Sequence, residues 1–389
     1  MPVEASVALR PLTAEESLHW LALRLVSGLG TRNSIKILGK FRTPQAIFRA
    51  SLSELEGAGV PASVARSILS GTTFDEAATQ QDKITESGVT LIPYTHPAYP
   101  ERLREIVDAP LLLFCMGRLE LLAAPNLAIV GTRRPTAYGI AVTERLAADL
   151  ARAGLTITSG MARGIDSAAH KACLTVGGDT IAIFGCGVDV VYPAENRKLH
   201  SDISQRGLLI SEFPMGAPPY PQNFPIRNRI VSGLAHGVLV VEGAEYSGSA
   251  ITARLALEQG REVFAIPGNI TNKMSWGPNL LIKQGAKLTQ RWEDVFFDLP
   301  EEIRMKLSGA AAKQMQGAQP VQMNLNAHPM AALYESILQC LQPDTTTHLD
   351  DLMARVENYS SSELIAALFE MELDGQVKQL PGKNFVKVW

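Results

Sequence analysis

The apolar and polar positions between residues 126 and 298 alternate between two patterns. Short, nearly continuous apolar runs predict strands covered on both faces, and the segments between them have the three-to-four-residue apolar spacing of helices. Predicted strands are Asn126–Gly131, Leu155–Ser159, Asp179–Gly185, Leu208–Phe213, Gly237–Glu242 and Glu262–Ile266. Predicted helices are Tyr138–Ala153, Ile165–Val176, Glu195–Gln205, Arg229–Ala235, Ala250–Gln259 and Asn279–Gln284. Strands that alternate with helices predict an α/β fold with a mostly parallel, doubly wound sheet.

Residues 13–90 have the apolar spacing of several short helices. The first, Ser17 to Val26, is ended by Gly28-Leu29-Gly30, and a similar turn occurs at Gly57-Ala58-Gly59. A glycine-apolar-glycine turn between short helices is typical of helix-hairpin-helix or SAM-like domains, in which turn amides point at a phosphate. It is also typical of a helical packing domain whose glycines end the helices. Both interpretations remain open.

The C-terminal part has a different organisation. Residues 301–328 lose the periodicity and, with Pro320, predict a flexible linker. Three helices at about 331–341, 348–356 and 361–373, followed by two short strands at Val377–Leu380 and Phe385–Val388, give the order of a winged helix. The predicted domains are therefore a helical domain at 1–90, the core at 91–300, a linker at 301–329 and a winged helix at 330–389.

Composition and cysteine spacing restrict the protein class. No uncharged apolar run approaches the roughly 18 residues of a membrane span, and no basic segment with an apolar stretch opens the chain. The cysteines Cys115, Cys173, Cys186 and Cys340 lie far apart and form no Cys-x-x-Cys pair. The lack of a long apolar run argues against a membrane anchor. The cysteine spacing argues against a disulfide framework and a metal site, and it predicts a cytoplasmic protein.

The charge distribution is more informative than the net charge of −3. Residues 126–290 contain 16 Lys or Arg against 12 Asp or Glu, a net +4, whereas the remainder is acidic. An excess of this size is unremarkable by itself. Its relevance to nucleic acid depends on the arginines that lie at glycine-rich turns.

The first such turn is Gly131-Thr132-Arg133-Arg134, between a predicted strand and a predicted helix. Open α/β sheets bind ligands at this edge, where backbone amides and the helix N-terminus favour an anion. Arg133 and Arg134 can add bidentate contacts to phosphate. The turn is neither Gly-x-Gly-x-x-Gly nor a P-loop, so we expect no dinucleotide or nucleotide cofactor.

The second turn runs from Ser159-Gly160 to Arg163-Gly164 at the next strand end. Its glycines permit close backbone approach, and Arg163 is a third cation on the same edge. We expect Asp166 to cap the following helix rather than to act in catalysis. His170, one turn later, is expected to be a packed helix residue.

Two further turns complete the edge. Phe224, Arg227, Asn228 and Arg229 form an extended entry to a helix, where two arginines can contact successive phosphates. Phe224 can stack on a base or pack in the core, and both interpretations are retained. Gly248 and Ser249, with Thr252, begin another helix that favours an anion. Four such turns predict a strip of phosphate sites.

The motifs now identify a resemblance. It rests on Val130–Arg134, Ser159–Asp166 with Ala169-His170, Gly185–Asp189 with Tyr192-Pro193, Phe224–Arg229, Gly248–Ala253, Phe264–Gly268 and Gly277–Ile282. The chain closely resembles the DNA-processing protein DprA/Smf family, densely over about residues 95–295 and more loosely in both end domains. Thr132 stands where serine is frequent and keeps the hydroxyl.

The resemblance implies an extended Rossmann-like core and a non-enzymatic function. Proteins of this family bind single-stranded DNA, form homodimers, protect incoming strands during natural transformation and load RecA recombinase onto them. It implies phosphate contacts for Arg133, Arg163 and Arg227 or Arg229, and self-association through Leu280–Leu288.

Two alternatives can be compared with this function. A nucleoside-monophosphate phosphoribohydrolase needs a catalytic glutamate after its glycine-rich turn, and Ser247–Thr252 supplies none. A transcription regulator would read duplex DNA through the third winged helix, but residues 361–373 contain three glutamates and no Lys or Arg.

Overall fold

A computed structural model describes residues 10–245, 247–317, 331–342, 345–356 and 359–388. The described residues form two compact units, which divide between Gln314 and Met315. The boundary predicted near residue 90 therefore falls inside the first unit, in which the N-terminal helices and the sheet share a hydrophobic core.

The described part of the first unit begins with six helices, in the region where the sequence predicts several short ones. Their bounds are α1 Ala14–Leu25, α2 Gly30–Phe41, α3 Pro44–Arg49, α4 Leu52–Gly57, α5 Ala62–Ser70 and α6 Phe74–Ser87. The hydroxyl of Thr13 accepts the backbone N–H of Glu16, whose carboxylate accepts the N–H of Thr13, and this reciprocal cap fixes the start of α1. Gly28 and Gly30 have positive φ angles of 78° and 64°, which allow the sharp turn into α2.

A nine-stranded sheet follows, in the spatial order β1-β2-β6-β5-β4-β3-β7-β8-β9. Its strands are β1 Thr90–Pro93, β2 Leu112–Gly117, β3 Asn126–Val130, β4 Thr156–Ser159, β5 Thr180–Phe184, β6 Leu208–Ser211, β7 Gly237–Val240, β8 Glu262–Ala265 and β9 Lys287–Leu288. Strands β3 to β9 are parallel, and β1 and β2 form an antiparallel edge. The mostly parallel α/β core predicted from the sequence is confirmed.

Helices cover both faces of this sheet. They are α7 Glu101–Arg104, α8 Ala137–Arg152, α9 Ile165–Thr175, α10 Arg197–Arg206, α11 Asn223–Leu234, α12 Gly248–Glu258, α13 Trp276–Lys283, α14 Trp292–Phe296 and α15 Glu301–Gly317. The N-terminal helices pack against the face that carries Phe114 and Phe184, and α11 and α12 pack against the other. Burial on both faces explains why the strands are continuous apolar runs.

Two predicted segments differ from the structure. Glu301–Gly317 is a helix, α15, and not a linker; its buried Ile303 and Leu307 lie one turn apart, and Leu307 approaches Gly154. Residues 318–329 of the predicted linker lie outside the described residues. Helix α11 begins at Asn223, so the segment predicted to be extended forms its first two turns. Pro225 is tolerated there because the first turn needs no backbone N–H from it.

The second unit has the winged-helix order that the sequence predicts. It contains α16 Ala331–Cys340, β10 Thr347–His348, α17 Leu349–Arg355, α18 Ser361–Leu373, β11 Val377–Leu380 and β12 Asn384–Lys387. The strands pair in the order β10-β12-β11. The cap of α18 is Ser360, which forms a capping box with Glu363.

The strand order of the large sheet locates a ligand crevice. Strands β4, β5 and β6 lie on one side of β3, and β7, β8 and β9 lie on the other. The chain direction across the sheet thus reverses at β3. Open α/β sheets bind ligands outside the carboxyl ends of the strands at such a point.

Candidate nucleic-acid interface

A cavity of about 610 Å³ opens at the carboxyl ends of β3, β4 and β7. The fold brings most of the predicted site residues to its wall, namely Gly131, Thr132, Arg133, Arg134, Gly160, Phe224, Arg227, Asn228, Gly248, Ser249 and Thr252. A smaller adjoining cavity is lined by Arg163 together with Arg133, Gly160 and Phe224. Ser159, Gly164 and Arg229 line neither cavity.

The turn after β3 is held by backbone contacts. The N–H of Thr132 donates to the carbonyl of Glu242 (2.7 Å), and the N–H of Ile165 donates to the carbonyl of Thr132 (3.3 Å). A side chain at Gly131 would meet Ile165 at 2.6 Å, so the close packing of this turn requires glycine. The turn is therefore a rigid support for the two arginines that follow it.

Arg133 and Arg134 are exposed at the mouth of the cavity. Neither forms an ion pair with any residue that the structure describes. The guanidinium of Arg133 lies 5.6 Å from the centre of the Phe224 ring. A planar cation in this position can bind phosphate without first breaking an internal ion pair.

The amino end of α8 is occupied by a carboxylate of the chain itself. Glu242 accepts the backbone N–H of Thr136 (2.9 Å) and its hydroxyl (2.5 Å), and it is 1% exposed. A side chain at Gly139 would collide with this carboxylate. The expectation that the α8 N-terminus would receive a ligand's anion is thus contradicted, because Glu242 already satisfies this site. Sequence reasoning missed Glu242, whose only signal was an acid directly after an apolar strand.

Asp166 organises the turn after β4. Its carboxylate accepts the backbone N–H groups of Gly160 (3.1 Å) and Ala162 (3.3 Å). The prediction that Asp166 caps α9 is wrong. Gly164 is the cap residue, and no side chain forms a capping hydrogen bond there. Burial raises the pKa of Asp166, and the nearby guanidinium of Arg227 opposes that rise. His170 is fully buried, as expected of a packed helix residue, and its Nδ1 contacts the hydroxyl of Thr180 at 2.6 Å.

Arg163 is exposed but paired. It makes two hydrogen bonds to the carboxylate of Glu195, at 2.6 and 2.7 Å. The side chains are 60% and 53% exposed, so the pair is weak in water and can be exchanged for a phosphate. A phosphate can therefore bind Arg163 only by displacing the carboxylate of Glu195.

The arginines of α11 are buried, which the sequence did not predict. Arg227 is 3% exposed and donates to the carbonyl of Ile183, and burial lowers its pKa to about 10. The space for its guanidinium is provided by Gly160, where any side chain would collide with it. Arg227 thus supports the turn after β4 from inside.

Arg229 is fixed by ion pairs on the other side of α11. It forms a bidentate pair with the buried Glu212 (2.6 and 2.8 Å) and a second pair with Asp108 (3.1 Å). The prediction that Arg229 contacts phosphate is contradicted by this burial. Because the segment is helical, Arg227 and Arg229 lie on different sides of α11, whereas the expected extended segment would have placed both on one side.

Phe224 lies between the two cavities and is half-buried. The centre of its ring lies 5.3 Å from that of the Tyr192 ring, and the two ring planes are inclined at 36°. The guanidinium of Arg133 also lies over the Phe224 ring. Tyr192 and Tyr220 are both exposed. The aromatic pair forms part of the cavity surface, so Phe224 is not a fully enclosed core residue.

The turn into α12 contributes small polar groups. Ser247 caps the helix through the N–H of Ala250 (3.4 Å), and its hydroxyl contacts that of Ser249 at 2.8 Å. The hydroxyl of Thr252 donates to the carbonyl of Gly248 (3.3 Å). Gly248 has open space beside it, so the backbone here is the accessible part of the turn. Tyr246 lies outside the described residues.

The described part of the chain lacks two features. No group of three or more His, Cys, Asp or Glu side chains there could hold a metal ion. No helix within the described ranges is long and apolar enough to cross a membrane.

Known proteins match this chain along most of its length. Residues 90–300 match the family model for DNA recombination-mediator protein A, and residues 322–383 match the DprA winged helix domain. Protein Smf of Escherichia coli is 42% identical over 293 residues, which cover 75% of this chain and 76% of that protein. Protein Smf of Synechocystis is 32% identical over 396 residues, covering 95% of this chain and 98% of the relative.

A solved structure agrees with these matches. The X-ray structure of DNA processing protein A from Streptococcus pneumoniae superposes with a TM-score of 0.64 at 35% identity, covering 75% of this chain and 99% of that one. The family model alone spans more than half of the 389 residues, and the E. coli relative exceeds two thirds. The chain therefore belongs to the DprA/Smf family of DNA-processing proteins.

Proposed function

We propose that this chain binds single-stranded DNA along the carboxyl edge of β3, β4 and β7. The observation that carries the proposal is Arg133, an exposed guanidinium outside any ion pair of the described residues, which lies over the ring of Phe224. A phosphate and a neighbouring base can contact this cation and this ring together. Because every base has an aromatic face, such binding tolerates any sequence.

The arrangement favours a polynucleotide over a mononucleotide. Arg133, Arg134 and Arg163 lie along one edge, where two adjoining cavities share Phe224 and the smaller one is also lined by Tyr192. Meanwhile Glu242 occupies the helix terminus at which Rossmann-type cores hold a single phosphate. Separate cations beside stacking surfaces suit a strand with unpaired bases.

We further propose the family's cellular role for this chain: protection of incoming strands in the cytoplasm and loading of RecA during natural transformation. A homodimer is part of this proposal. Its candidate surface is the stretch Leu280–Leu288, which ends in the edge strand β9, where Leu288 is 47% exposed. An edge strand and an exposed leucine can extend pairing to a second copy.

The phosphoribohydrolase alternative finds little support in the cavity. Among the described residues that line the cavity, Asp166 is the only one with a carboxylate side chain. It is bound to two backbone amides and lies beside Arg227. An acid held in this way is poorly placed to transfer a proton to a ligand.

A binding titration with a RecA readout tests the proposal. Fluorescence anisotropy would compare a labelled dT oligonucleotide of about 20 nucleotides with a duplex of equal length. RecA assembly on the bound strand would be followed in parallel. We expect preference for the single strand and faster RecA assembly. Preference for the duplex would contradict strand binding at this edge, and release of adenine from AMP by the purified protein would favour the enzyme.

A further inference from the structure

The outward side of α18 is apolar. Ile365, Phe369 and Leu373 follow one another at four-residue intervals and are 52%, 62% and 72% exposed. Residues spaced in this way lie along one side of a helix. We call these three residues the α18 stripe. The opposite side of α18, with Leu364, Ala367, Leu368 and Met371, packs into the core of the winged helix and does not need the stripe.

The stripe is too regular to be scattered surface hydrophobicity. Single exposed apolar residues are normal, but a contiguous apolar patch on a soluble domain marks an interaction site. In a winged helix this third helix normally enters the major groove of DNA. Here the corresponding positions carry a phenylalanine and two aliphatic side chains, which cannot neutralise phosphates.

Carboxylates border the stripe on both sides. At about 100° per residue, Glu372 lies about 60° to one side of Phe369, and Glu370 and Glu363 lie about 100° and 120° to the other. The carboxylate of Glu370 accepts the hydroxyl of Tyr334, and that of Glu372 accepts the N–H of Gln379 (3.0 Å). These contacts hold two of the charges beside the stripe.

The charge pattern discriminates between occupants. Helix α18 contains no Lys or Arg, and residues 331–389 carry nine acids against four basic residues. A nucleic acid or an anionic membrane would be repelled by this side. A second copy of α18 would bring carboxylates against carboxylates, which is destabilising. A basic partner satisfies both the apolar centre and the acidic borders.

We propose that the α18 stripe binds an amphipathic helix of a partner protein whose apolar side is bordered by Lys and Arg. The partner's apolar residues pack on Ile365, Phe369 and Leu373, and its basic residues pair with the glutamates on either side. Helix-in-groove recognition of this kind uses anchors at the same spacing. The winged helix then recruits a protein, and the DNA is bound elsewhere in the chain.

The test uses the full chain and two labelled synthetic peptides of about 18 residues, long enough to form a helix. Both carry leucines at helical spacing; one has arginines beside them and the other glutamates. Anisotropy would be measured with wild type, Phe369→Ser and Leu373→Ser. Val107→Ser is the matched control, because Val107 lies in the first unit and is 74% exposed.

We expect the basic peptide to bind wild type and the Val107→Ser control equally, and Phe369→Ser at least about tenfold more weakly. The thermal midpoint of Phe369→Ser should equal that of wild type. Equal binding of the acidic peptide would overturn the proposal, as would unchanged binding by Phe369→Ser. It would also fail if Phe369→Ser weakened the binding of labelled duplex DNA to the full chain as much as it weakened peptide binding. A reduced sedimenting mass of Phe369→Ser would likewise overturn it, because that would assign the stripe to a second copy.

Discussion

The carboxylate of Glu242 lies against the first turn of α8, where it accepts both the backbone N–H and the hydroxyl of Thr136. An acid from the end of β7 thus fills a site that in many Rossmann-type folds holds the phosphate of a bound nucleotide. The chain supplies its own anion there, and the exposed arginines beside it are left to bind an external one.

Glu242→Gln should destabilise the protein by about 1–3 kcal/mol, because an amide nitrogen would face a donor in a buried position. Urea unfolding measures the change. Glu245→Gln is the control, since Glu245 is exposed on the same loop, and it should change stability by less than about 0.5 kcal/mol. Equal stability of the two variants would show that the Glu242 contact contributes little.

Arg133→Glu should weaken oligonucleotide binding regardless of base sequence. Loss of one phosphate contact should reduce the slope of log K against log salt by about 0.7 for a single strand. Titration of poly-dT at several salt concentrations measures both quantities. Arg145→Glu is the control, because Arg145 is an exposed arginine of α8. If folded Arg133→Glu bound poly-dT as well as wild type, Arg133 would be wrongly assigned.

Phe224→Ala should distinguish stacking from core packing. A base stacked on this ring predicts a loss of about 1–3 kcal/mol in binding free energy. Because the ring is half-buried, the loss of unfolding free energy should stay below the about 3–5 kcal/mol of an enclosed phenylalanine. The exposed Phe297 provides a matched Phe→Ala control. A large loss of stability with unchanged affinity would assign Phe224 to the core.

Arg229→Met should destabilise the fold by about 3–5 kcal/mol, since it leaves the buried carboxylate of Glu212 without its partner. The double variant Arg229→Met/Glu212→Leu should recover much of the loss. Arg254→Met, which breaks only an exposed pair with Glu258, should cost less than about 1 kcal/mol. If Arg229→Met kept its stability and lost DNA binding, the original phosphate assignment would be restored.

His170 should make stability depend on pH. Burial lowers its pKa to about 3 from 6.5, so the unfolded chain binds more protons than the folded one between these values. Stability is therefore complete above about pH 6.5 and is lost as pH falls, by about 1.4 kcal/mol per unit for this group. Urea unfolding at pH 7, 6 and 5 should show a shallower dependence for His170→Gln. Parallel curves for the two proteins would contradict it.

The sequence predicted the core because its signals are local. An apolar run such as Asn126–Gly131 predicts a strand by itself, and a glycine-rich turn follows it directly in the sequence. The residues at the carboxyl ends of the strands could therefore be identified from the sequence. The position of Arg133 at that edge follows from the same local pattern. The exposure of Arg133 does not depend on a residue that is distant in the sequence.

The residues that the sequence misassigned depend on distant contacts. Arg229 is neutralised by Glu212 at the end of β6, and Glu242 reaches Thr136 across the β3–β7 boundary. Neither pairing has a sequence-local signal, because tertiary packing brings the partners together. Helix α15 was missed for a related reason: its packing residues Ile303 and Leu307 dock on another part of the first unit.

The packing of the Arg227 guanidinium into the space beside Gly160 has an evolutionary consequence. Any side chain gained at position 160 would collide with the arginine, and loss of the arginine alone would leave the carbonyl of Ile183 and the carboxylate of Asp166 without their cation. We therefore expect a replacement at position 160 or 227 alone to be unfavourable unless the other residue changes as well.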